Sequence, residues 1–139
     1  MTLPTWAQSI HHDGSAVFVS NPLPALNETI SIRLRTPADA PLSVVYFRAM
    51  LNGEFHYQAM TVSEDSTDIV TYWECEFTVS QKYVNYMFML GTDAGALYYS
   101  AQGMSIADYP DSDWFVLLAD YDAPTWVREE IYYQIFPER

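Results

Sequence analysis

Carboxylates are the side chains of this sequence most able to do chemistry. The chain has 18 Asp and Glu residues, and a facing pair of them could act as the acid and the nucleophile of a glycosidase. Such a pair requires exact facing geometry, and no spacing in the sequence marks one. A nucleophile elbow, a phosphate-binding loop, zinc-ligand spacing and a helical His–Glu pair are all missing from the sequence as well. The sequence therefore predicts no catalytic residue in this chain.

Several acidic residues form short clusters that could attract a cation. Calcium takes about six to eight oxygen ligands, often from one loop, and none of these clusters has the glycine and terminal glutamate of an EF-hand loop. Solvated loop charge is the simpler interpretation, so we expect no metal and no cofactor, with calcium kept as an open alternative. The clusters are Glu64, Asp65 and Asp68; Asp108, Asp111 and Asp113; and Asp120 with Asp122.

The adjacent histidines His11 and His12 raise the same question for a transition metal. Neighbouring residues on an extended strand point to opposite faces. We therefore expect that a single metal ion does not receive both imidazoles.

Aromatic side chains could bind a sugar, because an exposed ring can pack against the apolar face of a pyranose. The chain has 11 Tyr and 4 Trp residues, although most aromatics of a small domain belong to its core. Tyr72 is predicted on the polar face of an alternating strand, whereas Trp73 is predicted in the core. Tyr57 lies in a Phe-His-Tyr run, and Trp114 lies beside acidic loop residues. The carbohydrate-binding candidates are therefore Tyr57, Tyr72 and Trp114.

The strands that would position these residues are indicated by alternating hydrophobicity and by turn dipeptides. Residues 30–36 alternate cleanly, with Ile30, Ile32 and Leu34 on the core side. Asn52-Gly53 is the strongest hairpin signal, and Asp13-Gly14 predicts another hairpin between residues 9–12 and 16–20. Further strands are predicted at residues 43–50, 55–60, 72–79, 83–90, 96–100 and 114–118.

This set of short strands, with no helical periodicity, predicts an all-β sandwich. For residues 43–50 the sequence leaves two orientations open. Either Val45 and Phe47 face the core, or Val44 and Tyr46 do.

The composition is that of a packed globular domain, with 50% hydrophobic and 17% charged residues. Its formal net charge of -12 repels nucleic acid and anionic membrane surfaces, because both are bound mainly through Lys and Arg. The charge suits neutral ligands such as sugars, or cations, and ordinary solubility is the simpler explanation for most of it.

Cys75 is the single cysteine, so the chain has no internal disulfide. Because it lies within a strand pattern, we expect a buried, unreactive thiol. The N-terminal residues lack the basic start and apolar run of a signal peptide. These features predict a cytoplasmic protein.

The apolar stretch at residues 131–136, Ile-Tyr-Tyr-Gln-Ile-Phe, is typical of a strand buried on both faces of a parallel sheet. Pro137 ends it, and parallel neighbours would each need a crossover connection. We therefore expect the chain to be a fragment that ends on the first strand of a second domain. We expect the residues after about Pro124 to be disordered, to fold back on the sandwich or to pair with another copy.

Residues 126–139, Trp-Val-Arg-Glu-Glu-Ile-Tyr-Tyr-Gln-Ile-Phe-Pro-Glu-Arg, closely resemble the segment that opens the catalytic barrel in one branch of the α-amylase family. That branch contains neopullulanases, maltogenic amylases and cyclomaltodextrinases. Its pattern is a Trp, a short polar turn and a strand reading Tyr-Gln-Ile-Phe-Pro-Asp/Glu-Arg-Phe, of which this chain lacks only the last Phe. Residues 10–12, Ile-His-His, are also similar to the strand with which the branch often begins.

The resemblance implies an immunoglobulin-like β-sandwich at residues 1–123, similar to a starch-binding module. It implies that residues 124–139 are a linker and the first strand of a truncated (β/α)8 barrel. The catalytic Asp, Glu and Asp of the family lie on later barrel strands. This chain would therefore hydrolyse nothing alone, while its parent would be a retaining α-glucan hydrolase.

The resemblance also implies partners. In relatives this domain packs against the barrel of the partner subunit in a homodimer and helps to wall the active-site cleft. In some it binds α-glucans such as maltooligosaccharide, starch or cyclodextrin, and some carry calcium. The alternative is a purely structural domain, without a sugar site, that contacts its own barrel.

Overall fold

A computed structural model describes residues 3–108 and 113–119 of the chain. These residues form two antiparallel β-sheets, and Thr5–Ser9 form a short 3-10 helix. The predicted all-β fold is confirmed. The strands are β1 (Thr29–Pro37), β2 (Val44–Leu51), β3 (Glu54–Ala59), β4 (Thr61–Val62), β5 (Val70–Thr78), β6 (Tyr83–Thr92), β7 (Gly95–Ser100), β8 (Gly103–Ser105) and β9 (Phe115–Leu118).

The larger sheet has the strand order β3-β2-β6-β7-β8, and β9 also pairs with β6. The first half of β6 pairs with β9 and the second half with β7, so these two strands share one edge of β6. The β2–β3 hairpin turns at Asn52 and Gly53, whose φ angles are 53° and 81°. A left-handed pair of this kind is what a two-residue type I′ turn requires and what Asn-Gly supplies.

The smaller sheet has the order β1-β5-β4. Its alternation is as predicted: Ile30, Ile32 and Leu34 of β1 are buried, while the alternate residues Ser31, Arg33 and Arg35 face outward. The register of β1 and β5 places Arg33 opposite Glu74 and Arg35 opposite Tyr72. The outer face of this sheet therefore carries opposite charges side by side.

The chain passes from one sheet to the other between β3 and β4. The amide of Met60 still donates to the carbonyl of Val45 in the larger sheet. The next residue, Thr61, already pairs with Glu74 in the smaller sheet. One peptide unit therefore connects the two layers.

The hydrophobic core lies between the inner faces of the two sheets. Val45, Phe47 and Ala49 of β2 are fully buried in it, which settles the orientation that the sequence left open. Trp73 is partly buried and packs against the same core.

The N-terminal segment differs from its prediction as a hairpin around Asp13-Gly14. Residues 5–9 form the 3-10 helix, and His11 and Val19 each form an isolated bridge with β1, opposite Arg35 and Ile32. The turn dipeptide is present, but the flanking stretches find hydrogen-bond partners on an existing strand rather than on each other. Such long-range pairing overrides a local turn signal.

His12 is buried in the core, 2% exposed, among aromatic rings. Its Nδ1 lies 2.6 Å from the carbonyl oxygen of Arg33, and its Nε2 lies 2.8 Å from the hydroxyl of Tyr86. A carbonyl only accepts, so Nδ1 carries the proton and Nε2 accepts from Tyr86. His12 therefore ties the N-terminal segment to both sheets as a neutral imidazole.

Several predictions concern residues outside the described ranges. The predicted linker and barrel strand at residues 124–139 lie there, as do Asp111 of one acidic cluster and the pair Asp120 and Asp122. Within the described ranges, the structure has no helix with the length and hydropathy that crossing a membrane requires.

Candidate functional site: an aromatic cluster around Arg48

Arg48 projects from the middle of β2 onto the outer face of the larger sheet. The register places it opposite Tyr57 of β3 and opposite Met87 of β6. Although it lies on the outer face, its side chain is only 3% exposed. The guanidinium donates from Nη2 and Nη1 to the two carboxylate oxygens of Asp108, at 2.6 and 3.2 Å. A bidentate pair of this geometry fixes the orientation of the guanidinium plane.

Three aromatic rings surround this guanidinium. Its central carbon lies 4.6 Å from the ring centre of Trp114, 4.7 Å from that of Phe55 and 5.9 Å from that of Tyr57. These distances are within the range of cation–π attraction. Phe55 and Trp114 are themselves stacked, with centres 5.6 Å apart and planes inclined by 29°. We call Arg48, Phe55, Tyr57, Asp108 and Trp114 the Arg48 cluster.

The charge of Arg48 is stable in this setting. Burial is the largest single influence on its pKa and lowers it, but the contacts with Asp108 and Tyr57 together outweigh burial and raise the pKa. The guanidinium therefore stays protonated at any ordinary pH. Among residues 3–108 and 113–119, the buried Nε has no hydrogen-bond partner, so Asp108 and the rings are the main groups that compensate the burial of this guanidinium.

The structure brings two of the predicted sugar-binding residues together in this cluster. Tyr57 is 49% exposed and offers ring surface to solvent. Trp114 is only 3% exposed, so it supports Phe55 from below and presents almost no ring face of its own. Phe55 was not among the predicted sugar-binding residues. It is 49% exposed and provides the exposed ring that was expected from Trp114.

Tyr72 lies far from this cluster in the fold, on the outer face of the smaller sheet. The guanidinium carbon of Arg33 lies 5.5 Å from its ring centre, and the ring of Phe18 lies 6.5 Å away. Because Tyr57 and Tyr72 lie on the outer faces of different sheets, they do not form one site.

Sequence reasoning also missed Arg48 and its role. The available signal was an arginine within the otherwise apolar strand sequence Val-Val-Tyr-Phe-Arg-Ala-Met-Leu. A buried arginine needs a carboxylate partner. The partner lies 60 residues away along the chain, and no local pattern identifies it.

Exposed apolar side chains continue from the cluster along the same face. Tyr83 of β6 is 55% exposed, and its register partner Leu118 of β9 and the nearby Val116 are exposed as well. Their neighbours Val84 and Leu117 point into the core. We call Tyr83, Val116 and Leu118 the β6–β9 stripe.

The acidic clusters do not converge on a cation site in the described part of the chain. Residues 3–108 and 113–119 contain no group of three or more His, Cys, Asp or Glu side chains suited to hold a metal ion. Asp108 is bound to Arg48 instead, and Asp65 pairs with Arg33.

Comparison with known proteins assigns this chain to a family. Residues 7–118 match the family described as the N-terminal Ig-like domain of alpha amylase. A cyclomaltodextrinase from Bacillus sp. is 30% identical over 125 residues, which are 80% of this chain and 21% of that protein. The chain thus spans about a fifth of the length of this curated relative.

Solved structures agree on the fold. A cyclomaltodextrinase structure superimposes with a TM-score of 0.68 at 21% identity, covering 90% of this chain and 22% of that one. A maltogenic amylase from S. marinus gives a TM-score of 0.61 at 17% identity, covering 90% and 16%. The family match extends over most of the described residues and includes the strands that carry the Arg48 cluster. The chain therefore belongs to the family of N-terminal Ig-like domains of α-amylases.

Proposed function

We propose that this domain is a non-catalytic part of an α-glucan-hydrolysing enzyme of the cyclomaltodextrinase kind, and that it binds α-glucan through Phe55 and Tyr57. Hydrolysis, by a retaining mechanism, would belong to the whole protein rather than to this domain. The family match supports the first part of the proposal. The exposed ring pair on β3 supports the second.

The ring pair has the properties of a sugar platform. Phe55 and Tyr57 are two residues apart on one face of an edge strand, so their Cα atoms are roughly 7 Å apart. Both side chains are half exposed. Beneath them, Arg48 and Trp114 hold the rings in place, which reduces the entropy lost on binding.

Polar groups at the edge of the platform could orient the sugar. The carboxylate of Asp108 is half exposed while it is bound to Arg48. The net charge of -12 also favours a neutral ligand over an anionic one. In this proposal Trp114 supports the ring of Phe55 and does not contact the sugar itself. Tyr72 belongs to a separate surface on the smaller sheet.

Calorimetric titration with maltoheptaose and with β-cyclodextrin tests the glucan proposal. We expect saturable heat for the 139-residue chain and a loss of about tenfold in affinity for Tyr57→Ala, since one aromatic contact contributes on the order of 1–3 kcal/mol. Tyr83→Ala is the matched control, because Tyr83 is a similarly exposed tyrosine on the same face but outside the platform. Absence of heat at millimolar ligand would overturn this part of the proposal.

The β6–β9 stripe favours a second candidate, a structural interaction domain without its own sugar site. Contiguous exposed apolar surface marks contacts with other protein surfaces. The partner would be the catalytic barrel of the same protein or that of a second subunit in a homodimer. In that case Tyr83→Ala and Leu118→Ser would weaken assembly of the whole protein, measured by analytical ultracentrifugation, while Tyr57→Ala would change little.

A cytoplasmic location stays a prediction. It is supported by the single, unpaired Cys75, because disulfides accumulate in proteins of oxidising compartments.

A further inference from the structure

A concave surface lies on the opposite side of the sandwich from the Arg48 cluster. It is a cleft of about 390 Å³ between β1, β5 and residues 16–20. Ligand clefts usually hold about 300–1,000 Å³, so this cleft suits a ligand of one or two sugar units. Its lining includes Val17, Phe18, Ser20, Ser31, Arg33 and Glu74.

The walls of the cleft are fixed by the backbone. The amide of Arg33 donates to the carbonyl of Phe18 at 2.8 Å, and the amide of Ser20 donates to the carbonyl of Ser31 at 3.0 Å. Phe18 is buried and anchors the segment against the sheet. Residues 16–20 are therefore held beside β1 before any ligand arrives.

Arg33 is oriented on the cleft by two carboxylates. Its Nη2 donates to Asp65 at 2.5 Å, and its Nε donates to Glu74 at 3.2 Å. The ring of Tyr72 lies against the same guanidinium. A guanidinium has more N–H groups than these two contacts use, and the Arg33 side chain is 27% exposed. The remaining N–H groups can donate to a ligand.

Hydroxyl and apolar groups complete the cleft. The Oγ of Ser20 accepts from the amide of Ser31 at 2.9 Å, which leaves its own hydrogen available as a donor. Val17 is 61% exposed at the edge and offers a small apolar surface. Donors, acceptors and an aliphatic patch thus lie within one concave surface.

The charges that line the cleft favour a neutral ligand. The positive charge of Arg33 is outweighed by the two carboxylates of Asp65 and Glu74, and the chain as a whole is strongly acidic. An anion would be repelled by the carboxylates, and a cation would compete with Arg33 for them. A neutral polyol can accept from the guanidinium and donate to a carboxylate through neighbouring hydroxyls, without disturbing the ion pairs.

We propose that this cleft is a second carbohydrate site, which binds one or two glucose units through Arg33 and Glu74. It would be separate from the Phe55–Tyr57 platform, on the other face of the domain. This inference rests on the proposed function as a glucan-binding domain. It predicts two sites that one long glucan chain, or two chains, could occupy together.

The test is an NMR titration of the isotope-labelled chain with maltotriose, which reports each site separately. We expect saturable shifts of the amides of Val17, Ser20 and Ser31 and of the Nε–H of Arg33. Arg33→Gln should weaken the affinity measured from these amides by about tenfold, because a hydrogen bond from a charged donor would be lost. The matched control is Arg35→Gln, with the same charge change two residues along β1 but outside the cleft lining.

The outcomes separate this inference from the proposed function. Shifts confined to Phe55 and Tyr57 would overturn the cleft and leave the platform standing, whereas no shifts anywhere would overturn both. Equal weakening by Arg33→Gln and Arg35→Gln would also overturn the cleft, because only charge would then matter. If Arg33→Gln fails to fold, Glu74→Gln takes its place: unchanged affinity at the cleft amides overturns the proposal, and a selective loss supports it.

Discussion

The Nε2 atom of His12 accepts a hydrogen bond from the hydroxyl of Tyr86 across the core of the sandwich, at 2.8 Å. The imidazole is therefore held in its neutral form. Burial is the main reason that its pKa falls from 6.5 to about 4. A second proton would require Tyr86 to turn its own hydrogen away, and it would place a charge among aromatic rings.

This pKa makes the fold sensitive to mild acid. Between pH 6.5 and 4 the unfolded chain takes up a proton at His12 that the folded chain refuses, so stability is lost as the pH falls. The full effect is about 3 kcal/mol. Urea unfolding at pH 7, 6 and 5 should show a falling free energy of unfolding.

His12→Phe isolates this effect. The variant should be less stable at pH 7, because Tyr86 and the Arg33 carbonyl lose a buried partner, but its stability should depend less on pH. His56→Gln is the control, since His56 is exposed on β3, and it should keep the dependence of the wild type. An unchanged pH dependence in His12→Phe would contradict the assignment to His12.

Replacing Asp108 should destabilise the fold more than replacing Arg48, although the two residues form one ion pair. Asp108→Asn leaves a buried guanidinium without its counter-charge, and because Asp108 is half exposed we expect a loss of about 2 kcal/mol. Arg48→Met replaces the charge by an apolar side chain of similar length and should be tolerated better. Thermal unfolding of both variants and of the double variant gives the coupling energy. Equal losses in the two single variants would show that packing, rather than charge burial, dominates.

The β2–β3 turn should be sensitive to a single methyl group. Gly53 has a φ of 81°, where an L-residue pays about 1–2 kcal/mol, so Gly53→Ala should lower the free energy of unfolding by that amount. Gly14→Ala is the matched control, because a Cβ there meets nothing within 4 Å and its φ is outside the left-handed range. Equal melting temperatures for the two variants would refute a left-handed Gly53.

Cys75 should be chemically inert in the folded chain. Desolvation is the main reason that its pKa is raised from 9.0 to about 12, with the charge of Glu74 adding to it. The thiolate is the reactive form, so a disulfide reagent at pH 8 should modify the folded chain much more slowly than the urea-unfolded chain. Rapid reaction of the folded chain would place Cys75 in a more exposed environment than the core face of β5.

The parts of the fold that sequence predicted are those set by local patterns. The alternation of Ile30, Ile32 and Leu34 determined the inner face of β1, and Asn52-Gly53 determined the β2–β3 hairpin. The two orientations of residues 43–50 stayed open because both faces of β2 carry large apolar side chains. On the outer face, Tyr46 packs edge-on against Tyr57 of the Arg48 cluster, with ring centres 6.2 Å apart.

The candidate site was predicted less well, because it depends on contacts between distant residues. Trp114 is buried since the register of β2, β3 and β6 brings Arg48 and Phe55 against it. The bridges of His11 and Val19 to β1 likewise join segments that no local pattern connects. Periodicity shows which face of a strand a residue occupies, but not what will cover that face.

The single peptide unit that joins β3 to β4 links the layers mechanically as well as topologically. Because the amide of Met60 belongs to one sheet and Thr61 to the other, local opening of either sheet at this point strains the other. The two sheets should therefore open as one cooperative unit, with amide protons of β2 and β5 exchanging through the same global event. A partner pulling on the outer face of one sheet would transmit its force to the whole domain.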